Sequence, residues 1–406
     1  MNILVINCGS SSLKYQLIDM ENEKCIAKGI CERINAPGSA IESRAGDKRV
    51  VKEVPMEDHT QAFHCVIKAL CEGECKVIDD VSVIGAVGHR IVQGGDIYNK
   101  SVLIDDEVIT NIEKLSPLAP LHNPAHIKGI KACINVLGDN VPQVAVFDNA
   151  FHSTMPEEAY LFGIPKEYYD KPEFGVKLRR YGAHGTSHKY VAGECAKLMG
   201  RDIEQLKIIT CHIGNGASIT AVKYGKVIDT SMGLTPLGGI MMGTRCGDLD
   251  PSVVTFLQKR LGWTAEQTEE KLNNQCGLYG LSGYISSDDR DLVKAAAEGN
   301  ENARTARLTQ HYQIKKTIGA YAAAMDGVDA IVFTAGLGEN NSNLRENVCS
   351  GLTYLGVDID REYNKELIHG KGGRFSTEKS AVQVFVIPTN EELMIARETI
   401  ALVEER

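Results

Sequence analysis

The sequence predicts an α/β protein that contains an internal duplication. One strand–turn–strand segment stands at the N-terminus, a second with a similar turn stands in mid-chain, and helical stretches alternate with apolar strands elsewhere. Such alternation is typical of the α/β class. A chain of 406 residues has room for two or three domains.

The first hairpin is indicated by two apolar runs around a short polar turn. Residues 3–6 are apolar, residues 7–12 read Asn-Cys-Gly-Ser-Ser-Ser, and residues 13–18 resume the strand pattern. Small residues between two β-prone runs predict a tight turn. A third strand is expected at residues 25–30.

The second hairpin repeats this plan. Residues 208–213 are apolar and rich in β-branched side chains, residues 214–218 form the turn, and strands are expected at 219–222 and 226–230. Two hairpins with the same kind of small-residue turn favour duplication over coincidence.

The remaining segments complete the α/β pattern. A strand at residues 330–334 precedes a glycine turn and a helix at 344–355, and further helices are expected at 303–325 and 391–403. A strand, a glycine turn and a helix place free backbone N–H groups near a strand end, which suits a phosphate. Residues 35–60 predict an elaborated loop or a hairpin, and the proline-containing residues 155–180 are expected to cross between domains.

The composition argues against several classes of protein. A formal net charge of −9 argues against a general nucleic-acid binder. The N-terminus lacks the pattern of a signal peptide, and no apolar run reaches the ~18 residues of a membrane span, so a cytoplasmic protein is expected. The 12 cysteines are irregularly spaced without a Cys-x-x-Cys pair, which favours reduced thiols over disulfides or zinc.

Both hairpin turns are candidate phosphate sites. Gly and Ser let the backbone approach an anion closely, and Lys14 shares a strand face with Ser12. One such turn alone reads better as an ordinary hairpin, but the second turn, with His212 and Asn215, favours phosphate binding. Neither turn matches the P-loop pattern or a dinucleotide fingerprint.

Four single residues are candidates for chemistry, each with a structural alternative. Arg90 and Arg245 lie near glycines beside apolar segments and could clamp a carboxylate or phosphate, or form surface ion pairs. Asp148 ends an apolar run, where α/β enzymes place catalytic or metal-binding groups, although a helix cap is as common. His184 precedes an expected helix start and could be catalytic or structural.

These segments resemble the acetate kinase family when they are taken together. They occur in that family's order across nearly the whole chain, at residues 7–14, 88–90, 119–124, 147–148, 184–188, 212–216, 242–245, 336–340 and 388–392. The resemblance implies two ribonuclease-H-like domains of the actin-like ATPase type around a central cleft. It implies a first domain of residues 1–150 with 391–406, a second of 151–390, and a homodimer joined mainly through the second domain.

The resemblance also implies a reaction and its ligands. The reaction is reversible, magnesium-dependent, in-line transfer of phosphate between ATP and acetate, giving acetyl phosphate and ADP, and the resemblance implies that Mn²⁺ can substitute for Mg²⁺. A short carboxylic acid is already ionised at neutral pH, so no general base is required, and Asp148 is interpreted as orienting magnesium or its water. The expected partners are ATP and a short-chain carboxylate, without nucleic acid or membrane.

Roles follow residue by residue from the resemblance. The catalytic positions are Asp148, His184 and Arg245, and the substrate-binding positions are Arg90, Val92, Leu121 and Pro236. The magnesium positions are Asn7 and Glu391. The ATP-binding positions are Ser10, Ser12, Lys14, His212, Ile213, Gly214, Asn215, Gly216, Asp288, Asp289, Arg290, Gly336, Leu337, Gly338, Glu339 and Asn340.

Three positions depart from the family pattern. Gln93 stands where many members have histidine, Gly238 replaces a common glutamate, and Ala183 stands where some members carry phenylalanine. Ala183 leaves more room near the substrate, so a propionate kinase of the same family is the alternative. The alternative from another class is an actin-like or Hsp70-like nucleotide-switch ATPase without an acid substrate.

Overall fold

The computed structural model describes residues 1–120, 122–138 and 140–405. The strands are, in chain order, β1 (Asn2–Gly9), β2 (Ser12–Asp19), β3 (Lys24–Glu32), β4 (Ala40–Ala45), β5 (Lys48–Glu53), β6 (Ile84–Ile91), β7 (Val102–Leu103), β8 (Gln143–Phe147), β9 (Lys207–Ile213), β10 (Ala217–Lys223), β11 (Lys226–Thr230), β12 (Ala330–Thr334), β13 (Gly373–Arg374) and β14 (Gln383–Val386).

The helices lie between and after these strands. They are α1 (His59–Cys71), α2 (Asp106–Lys114), α3 (Asn123–Leu137), α4 (Glu157–Tyr160), α5 (Gly185–Met199), α6 (Pro251–Leu261), α7 (Ala265–Asn274), α8 (Gly277–Leu281), α9 (Asp289–Ala297), α10 (Glu301–Met325), α11 (Ala335–Asn340), α12 (Ser342–Cys349), α13 (Arg361–Glu366) and α14 (Glu391–Glu404). Among the described residues, no helix combines the length and apolar character needed to cross a membrane.

Two sheets share one strand arrangement, which confirms the predicted duplication. The first sheet has the order β5-β4-β3-β2-β1-β6-β8-β7, and the second has β11-β10-β9-β12-β14-β13. In each sheet, three antiparallel strands are followed by two parallel ones. In the first sheet β6 pairs with β1 and β8 pairs with β6, and in the second β12 pairs with β9 and β14 pairs with β12. This is the ribonuclease-H-like arrangement expected from the resemblance.

The chain divides into two compact units. Unit 1 comprises Met1–Phe151, Pro165–Lys177 and Asn390–Arg406, and unit 2 comprises His152–Ile164 and Leu178–Thr389. The domain bounds expected from the resemblance, 1–150 with 391–406 and 151–390, stay a prediction. Lys177, in the middle segment of unit 1, forms an ion pair with Asp96 of the same unit, with Nζ 2.7 Å from the carboxylate. The proline-containing segment thus alternates between the units along the chain.

Burial explains the continuous apolar runs. Ile3, Leu4, Val5 and Ile6 of β1 are all at most 1% exposed, because helices cover both faces of the central strands. In the same unit, Gly88 of β6 lies so close to α14 that an added Cβ would be 2.4 Å from Thr399 Oγ1. A glycine at this position therefore permits the close packing of the C-terminal helix.

Two local features differ from, or add to, the sequence analysis. Residues 40–53 form the hairpin of β4 and β5, the second of the two alternatives for residues 35–60. The expected glycine turn after β12 is wrong, because residues 335–340 form the short helix α11. Ala335 adopts φ 64°, and its N–H is satisfied by the Glu339 carboxylate at 2.8 Å, so the chain turns within one residue.

Candidate active site

Strand ends bring candidate residues of unit 1 to one edge of its sheet. The parallel strands β1, β6 and β8 have their carboxyl ends at the same edge. Asn7 lies near the end of β1, Arg90 near the end of β6, and Asp148 directly after β8, with its N–H donating to Ile91 O at 2.8 Å. Helix α14 packs against these three strands and begins with Glu391.

Arg90 and Asp148 form a buried ion pair at this edge. Arg90 donates to Asp148 Oδ2 from Nε at 3.0 Å and from Nη2 at 2.7 Å. The Asp148 side chain is only 1% exposed. Burial alone would lower the pKa of Arg90, but the charges of Asp148 and Glu391 raise it overall, so the guanidinium remains charged. Both donors go to one carboxylate oxygen, which leaves Nη1 outside the pair.

Glu391 adds a second carboxylate to this cluster. Its Oε2 lies 3.9 Å from Arg90 Nε. Burial raises the pKa of Glu391 to about 6, Arg90 opposes the shift, and Asp148 and Glu392 add to it. Lys14 is near enough to lower this pKa, which places the first hairpin beside the cluster.

The first hairpin turn is as tight as predicted. Gly9 pairs with Ser12 and Asn7 pairs with Lys14, so Ser10 and Ser11 alone form the exposed turn. A Cβ on Gly9 would lie 2.8 Å from Ser12 Oγ. The turn therefore exposes hydroxyls and backbone at the end of β1 next to an exposed lysine.

The residues predicted to hold magnesium have suitable chemistry. The Asn7 amide oxygen and the Glu391 carboxylate are oxygen ligands, which Mg²⁺ prefers. Burial is the main cause of the raised pKa of Glu391, and the nearby carboxylates of Asp148 and Glu392 add to it. Within residues 1–120, 122–138 and 140–405, no group of three or more His, Cys, Asp or Glu side chains is arranged to hold a metal alone. These residues fit an ion that is held largely by water and substrate phosphate.

The second hairpin turn lies in unit 2 between β9 and β10. Ile213 pairs with Ala217, and Gly214 N–H donates to Gly216 O at 3.0 Å across the turn. Asn215 at the tip is exposed. His212 is 8% exposed, and its Nδ1 lies 2.8 Å from Ser187 Oγ.

His184 and Arg245 converge on Gly216 of this turn. An ideal Cβ on Gly216 would lie 3.4 Å from His184 Nε2 and 3.6 Å from Arg245 Nη1. His184 stacks on His212 with 4.1 Å between ring centroids. It has φ 59°, uncommon for a residue other than glycine, and it precedes α5 as expected. An imidazole and a guanidinium thus meet where the turn has no side chain.

The loop of Arg245 is fixed by backbone contacts. Met242 N–H donates to Arg245 O at 3.0 Å, and Gly243 N–H donates to Asn215 O at 3.0 Å. A Cβ on Gly243 would collide with the Asn215 side chain. Arg245 Nη1 donates to Pro236 O at 3.2 Å, and burial lowers the pKa of Arg245.

The substrate-pocket positions fall in different parts of the chain. Val92 is buried in unit 1, whereas Pro236 is half-buried in unit 2, where its carbonyl contacts Arg245. Leu121 lies outside the described residues. Ala183 is 4% exposed, and Gln93 accepts a hydrogen bond from Gly95 N–H at 2.9 Å.

The adenosine-side loop divides into exposed and buried residues. Asp288 caps α9 by accepting from Arg290 N–H at 2.9 Å and also pairs with the exposed Arg290 side chain. Asp289 is 3% exposed and accepts from Arg307 Nε at 2.8 Å and from Asn341 Nδ2 at 2.5 Å. Asp289 therefore holds α9, α10 and the start of α12 together, and its predicted ATP contact stays a prediction.

The predicted ADP-binding positions 336–340 lie on α11. Gly336 and Asn340 are exposed, Leu337 is half-buried and Gly338 is buried. Glu339 accepts from Ala335 N–H at 2.8 Å and from Thr389 N–H at 3.1 Å, so its carboxylate supports the backbone of this segment. Asn340 Oδ1 accepts from His369 N–H at 2.8 Å.

Two buried residues beside the site, Arg345 and Ser218, were missed by the sequence analysis. Arg345 is fully buried and donates to Gly338 O and Glu339 O, each at 2.9 Å, so it holds α11 from beneath. Ser218 Oγ lies 2.8 Å from both His184 Nδ1 and His188 Nε2. The strand alternation of residues 217–223 could have flagged Ser218, but its partners depend on the fold.

The chain is similar to known proteins along nearly its whole length. The model of the acetokinase family matches residues 2–397. The acetate kinase of Caldanaerobacter subterraneus subsp. tengcongensis is 56% identical over 406 residues, which cover 100% of this chain and 99% of that one.

Two solved structures share the fold over their whole length. The crystal structure of Porphyromonas gingivalis acetate kinase matches with a TM-score of 0.94 and 44% identity, covering 99% of each chain. A propionate kinase from Francisella tularensis subsp. tularensis matches with a TM-score of 0.90 and 40% identity, again covering 99% of each. On the family match and the full-length identity, the chain belongs to the acetokinase family.

Proposed function

We propose that this protein is an acetate kinase that transfers phosphate reversibly between ATP and acetate. The observation that carries the proposal is the convergence of His184 Nε2 and Arg245 Nη1 on Gly216, the position of the second turn that has no side chain. Both groups donate hydrogen bonds, and Arg245 brings a positive charge to the place where the transferring phosphoryl group would sit.

The proposed reaction brings two anions together, and the charged side chains offset their repulsion. Arg245 neutralises the phosphoryl oxygens and His184 donates a hydrogen bond to them. Arg90 Nη1 lies outside the pair with Asp148 and is proposed to bind the acetate carboxylate. Val92, Leu121 and Pro236 are proposed to enclose the methyl group.

Asp148 is proposed to position charge rather than to move a proton. Acetate is already ionised near neutral pH, since the pKa of a simple carboxylic acid is about 4. The buried carboxylate holds the Arg90 guanidinium at two points, which fixes its direction. Asp148 also adds negative charge beside Glu391, where a cation is proposed to bind.

Asn7 and Glu391 are proposed to hold Mg²⁺, for which Mn²⁺ can substitute. The ion supplies charge neutralisation at the ATP phosphates. Asn7 and Glu391 give it oxygen ligands beside the first hairpin turn, where Ser10, Ser12 and Lys14 are proposed to face the phosphates. Residues 212–216, the second turn, are proposed to contact ATP as well.

The adenosine portion of the nucleotide is proposed to bind to unit 2. Asp288 and Arg290, with the exposed Gly336 and Asn340 of α11, are the accessible members of the proposed set. Asp289, Gly338 and Glu339 are proposed to support these positions, since each is engaged in contacts inside the unit.

Propionate is the second candidate substrate. Ala183 is small and buried, and one similar structure is a propionate kinase.

The cysteines support a proposal about the cellular compartment. All 12 are free, which suits a reducing environment, so a cytoplasmic enzyme is proposed.

A homodimer joined through unit 2 is also proposed. Large apolar side chains that are at least 41% exposed lie on α6, on α10 and between α8 and α9, namely Val253, Phe256, Leu261, Tyr284, Ile285, Leu308 and Tyr312. Such a concentration of exposed apolar residues is typical of a protein–protein interface.

The acid specificity tests the function directly. Purified protein with ATP, Mg²⁺ and hydroxylamine should yield the hydroxamate of acetate. Propionate should react with a kcat/KM roughly 10- to 200-fold lower, and butyrate lower still, because an apolar pocket rejects one methylene by ~1–3 kcal/mol. Propionate equal to acetate would favour the propionate kinase, whereas ATP hydrolysis without any hydroxamate would favour a nucleotide switch.

Replacing Arg245 tests the phosphoryl contact. Arg245→Ala should lower kcat by up to ~10³-fold with little change in ATP affinity, because the guanidinium acts on charge that spreads in the transition state. Steady-state kinetics and nucleotide titration measure the two quantities. Arg304→Ala, which removes only an exposed ion pair with Glu301, is the control and should leave kcat unchanged. Near-normal turnover of Arg245→Ala would remove Arg245 from the mechanism.

Replacing Arg90 tests the carboxylate clamp. Arg90→Ala should raise KM for acetate and lower kcat, since acetate loses its cationic partner and Asp148 loses the cation that it holds. Arg90→Lys keeps the positive charge but lacks the planar guanidinium, so its KM for acetate should lie between those of the wild-type protein and Arg90→Ala. An unchanged KM for acetate in Arg90→Ala would contradict the clamp.

Sedimentation tests the dimer. The wild-type protein should have the mass of two chains, and Phe256→Asp should shift it towards one chain by placing a charge in the interface. Leu198→Asp, at an exposed leucine of α5, is the matched control and should stay dimeric. A wild-type mass of one chain would contradict the proposal.

A further inference from the structure

A chain of buried hydrogen bonds runs inward from His184. His184 Nδ1 lies 2.8 Å from Ser218 Oγ, which lies 2.8 Å from His188 Nε2. His188 Nδ1 lies 2.7 Å from Thr210 Oγ1. Ser218, His188 and Thr210 are all fully buried. These three bonds couple the protonation of one ring to that of the other.

The protons in this chain have two consistent arrangements. His188 is neutral, because burial, followed by the nearby His152 and His212, lowers its pKa well below the usual value. A neutral imidazole has one N–H, and each hydroxyl donates one proton. In the first arrangement every donor points outward, from Thr210 to His188, from His188 Nε2 to Ser218, and from Ser218 to His184 Nδ1. In the second arrangement every donor points inward.

Thr210 decides between the two arrangements. In the inward arrangement its hydroxyl proton must go to another acceptor, and among the described residues the one in reach is Thr220 O at 3.5 Å. That is long for an O–H···O bond, which is ordinarily ~2.7–2.8 Å. The outward arrangement instead gives the Thr210 proton to His188 Nδ1 at 2.7 Å. The outward arrangement therefore has the better hydrogen bonds.

The direction matters because the two nitrogens of His184 face different surroundings. Nδ1 faces the buried Ser218, whereas Nε2 faces Gly216 and the Arg245 guanidinium. If Ser218 donates to Nδ1, the proton of a neutral His184 lies on Nε2. Nε2 can then donate to an anion at the Gly216 turn even when the ring carries no charge.

We propose that Ser218, oriented by His188 and Thr210, is a positioning residue that holds neutral His184 as the tautomer protonated on Nε2. This rests on the proposed function only in that His184 donates to the transferring phosphoryl group. His184 needs no second proton to do so. The chain of hydrogen bonds, which we call the relay, also restrains the orientation of the His184 ring, because its Nδ1 is bonded to Ser218 on strand β10.

The wild-type protein tests the proposal without any substitution. Nitrogen NMR of histidine-labelled full-length protein, recorded at a pH at which both rings are neutral, should show His184 and His188 both protonated on Nε2 and bare on Nδ1. A proton on Nδ1 of either ring would overturn the proposal. Wild-type hydroxamate formation is measured on the same protein. Absence of hydroxamate would count against the proposed function, whereas a proton on Nδ1 in an active protein would count against the relay alone.

Ser218→Ala tests the consequence. It should lower kcat by roughly 10²-fold with KM for ATP unchanged, and the His184 spectrum should become a mixture of tautomers. Ser376→Ala, which removes another buried serine hydroxyl of unit 2 that accepts from Val384 N–H at 3.0 Å, is the matched control. Unchanged kcat and tautomer in Ser218→Ala would overturn the proposal, and the wild-type spectrum decides if that variant does not fold.

Discussion

The first strand of each hairpin pairs in parallel with the next strand of its sheet, and this pairing sets where the candidate residues lie. Because β1 lies parallel to β6 and β8, the first turn, Arg90 and Asp148 share one sheet edge. In unit 2, β9 lies parallel to β12, and Thr334 pairs with His212, so α11 starts next to the end of β9. Each sheet therefore has a tight turn of small residues at the end of its hairpin's first strand. The neighbouring parallel strand, β6 or β12, brings further candidate residues to the same edge.

The two units supply charge by different means in a chain whose net charge is −9. In unit 1, Arg90 lies near two carboxylates, those of Asp148 and Glu391. The cluster therefore orients the arginine and contains one more carboxylate than arginine, which favours a cation. In unit 2, Arg245 is held by the carbonyl of Pro236, and its charge is therefore available to an anion. This asymmetry follows from the partners of the two arginines, which are carboxylates in unit 1 and a neutral carbonyl in unit 2.

The sequence predicts most of the strands and helices because their apolar periodicity is strong, as in both hairpins and in α10. The sequence did not decide between a loop and a hairpin for residues 35–60, because β5 is a polar, largely exposed edge strand without a clear apolar alternation. The prediction of a turn at α11 was wrong because Gly336 and Gly338 disfavour a helix. The hydrogen bond from Ala335 N–H to the Glu339 carboxylate, which stabilises the start of α11, could not be predicted from the sequence. Long-range pairing explains the other gaps: Asp289 meets Arg307 and Asn341, and Ser218 meets two histidines, only after the chain has folded.

Fixed charges and hydrogen bonds are proposed to transfer the phosphoryl group in one step, without a covalent bond to the protein. The stereochemistry at phosphorus distinguishes this from transfer through a phosphoenzyme. ATP whose γ-phosphorus is made chiral by oxygen isotopes is incubated with the protein and acetate, and the configuration of the acetyl phosphate is determined. A single in-line transfer predicts inversion. Retention would require an even number of transfers through a covalent phosphoenzyme and would contradict the account.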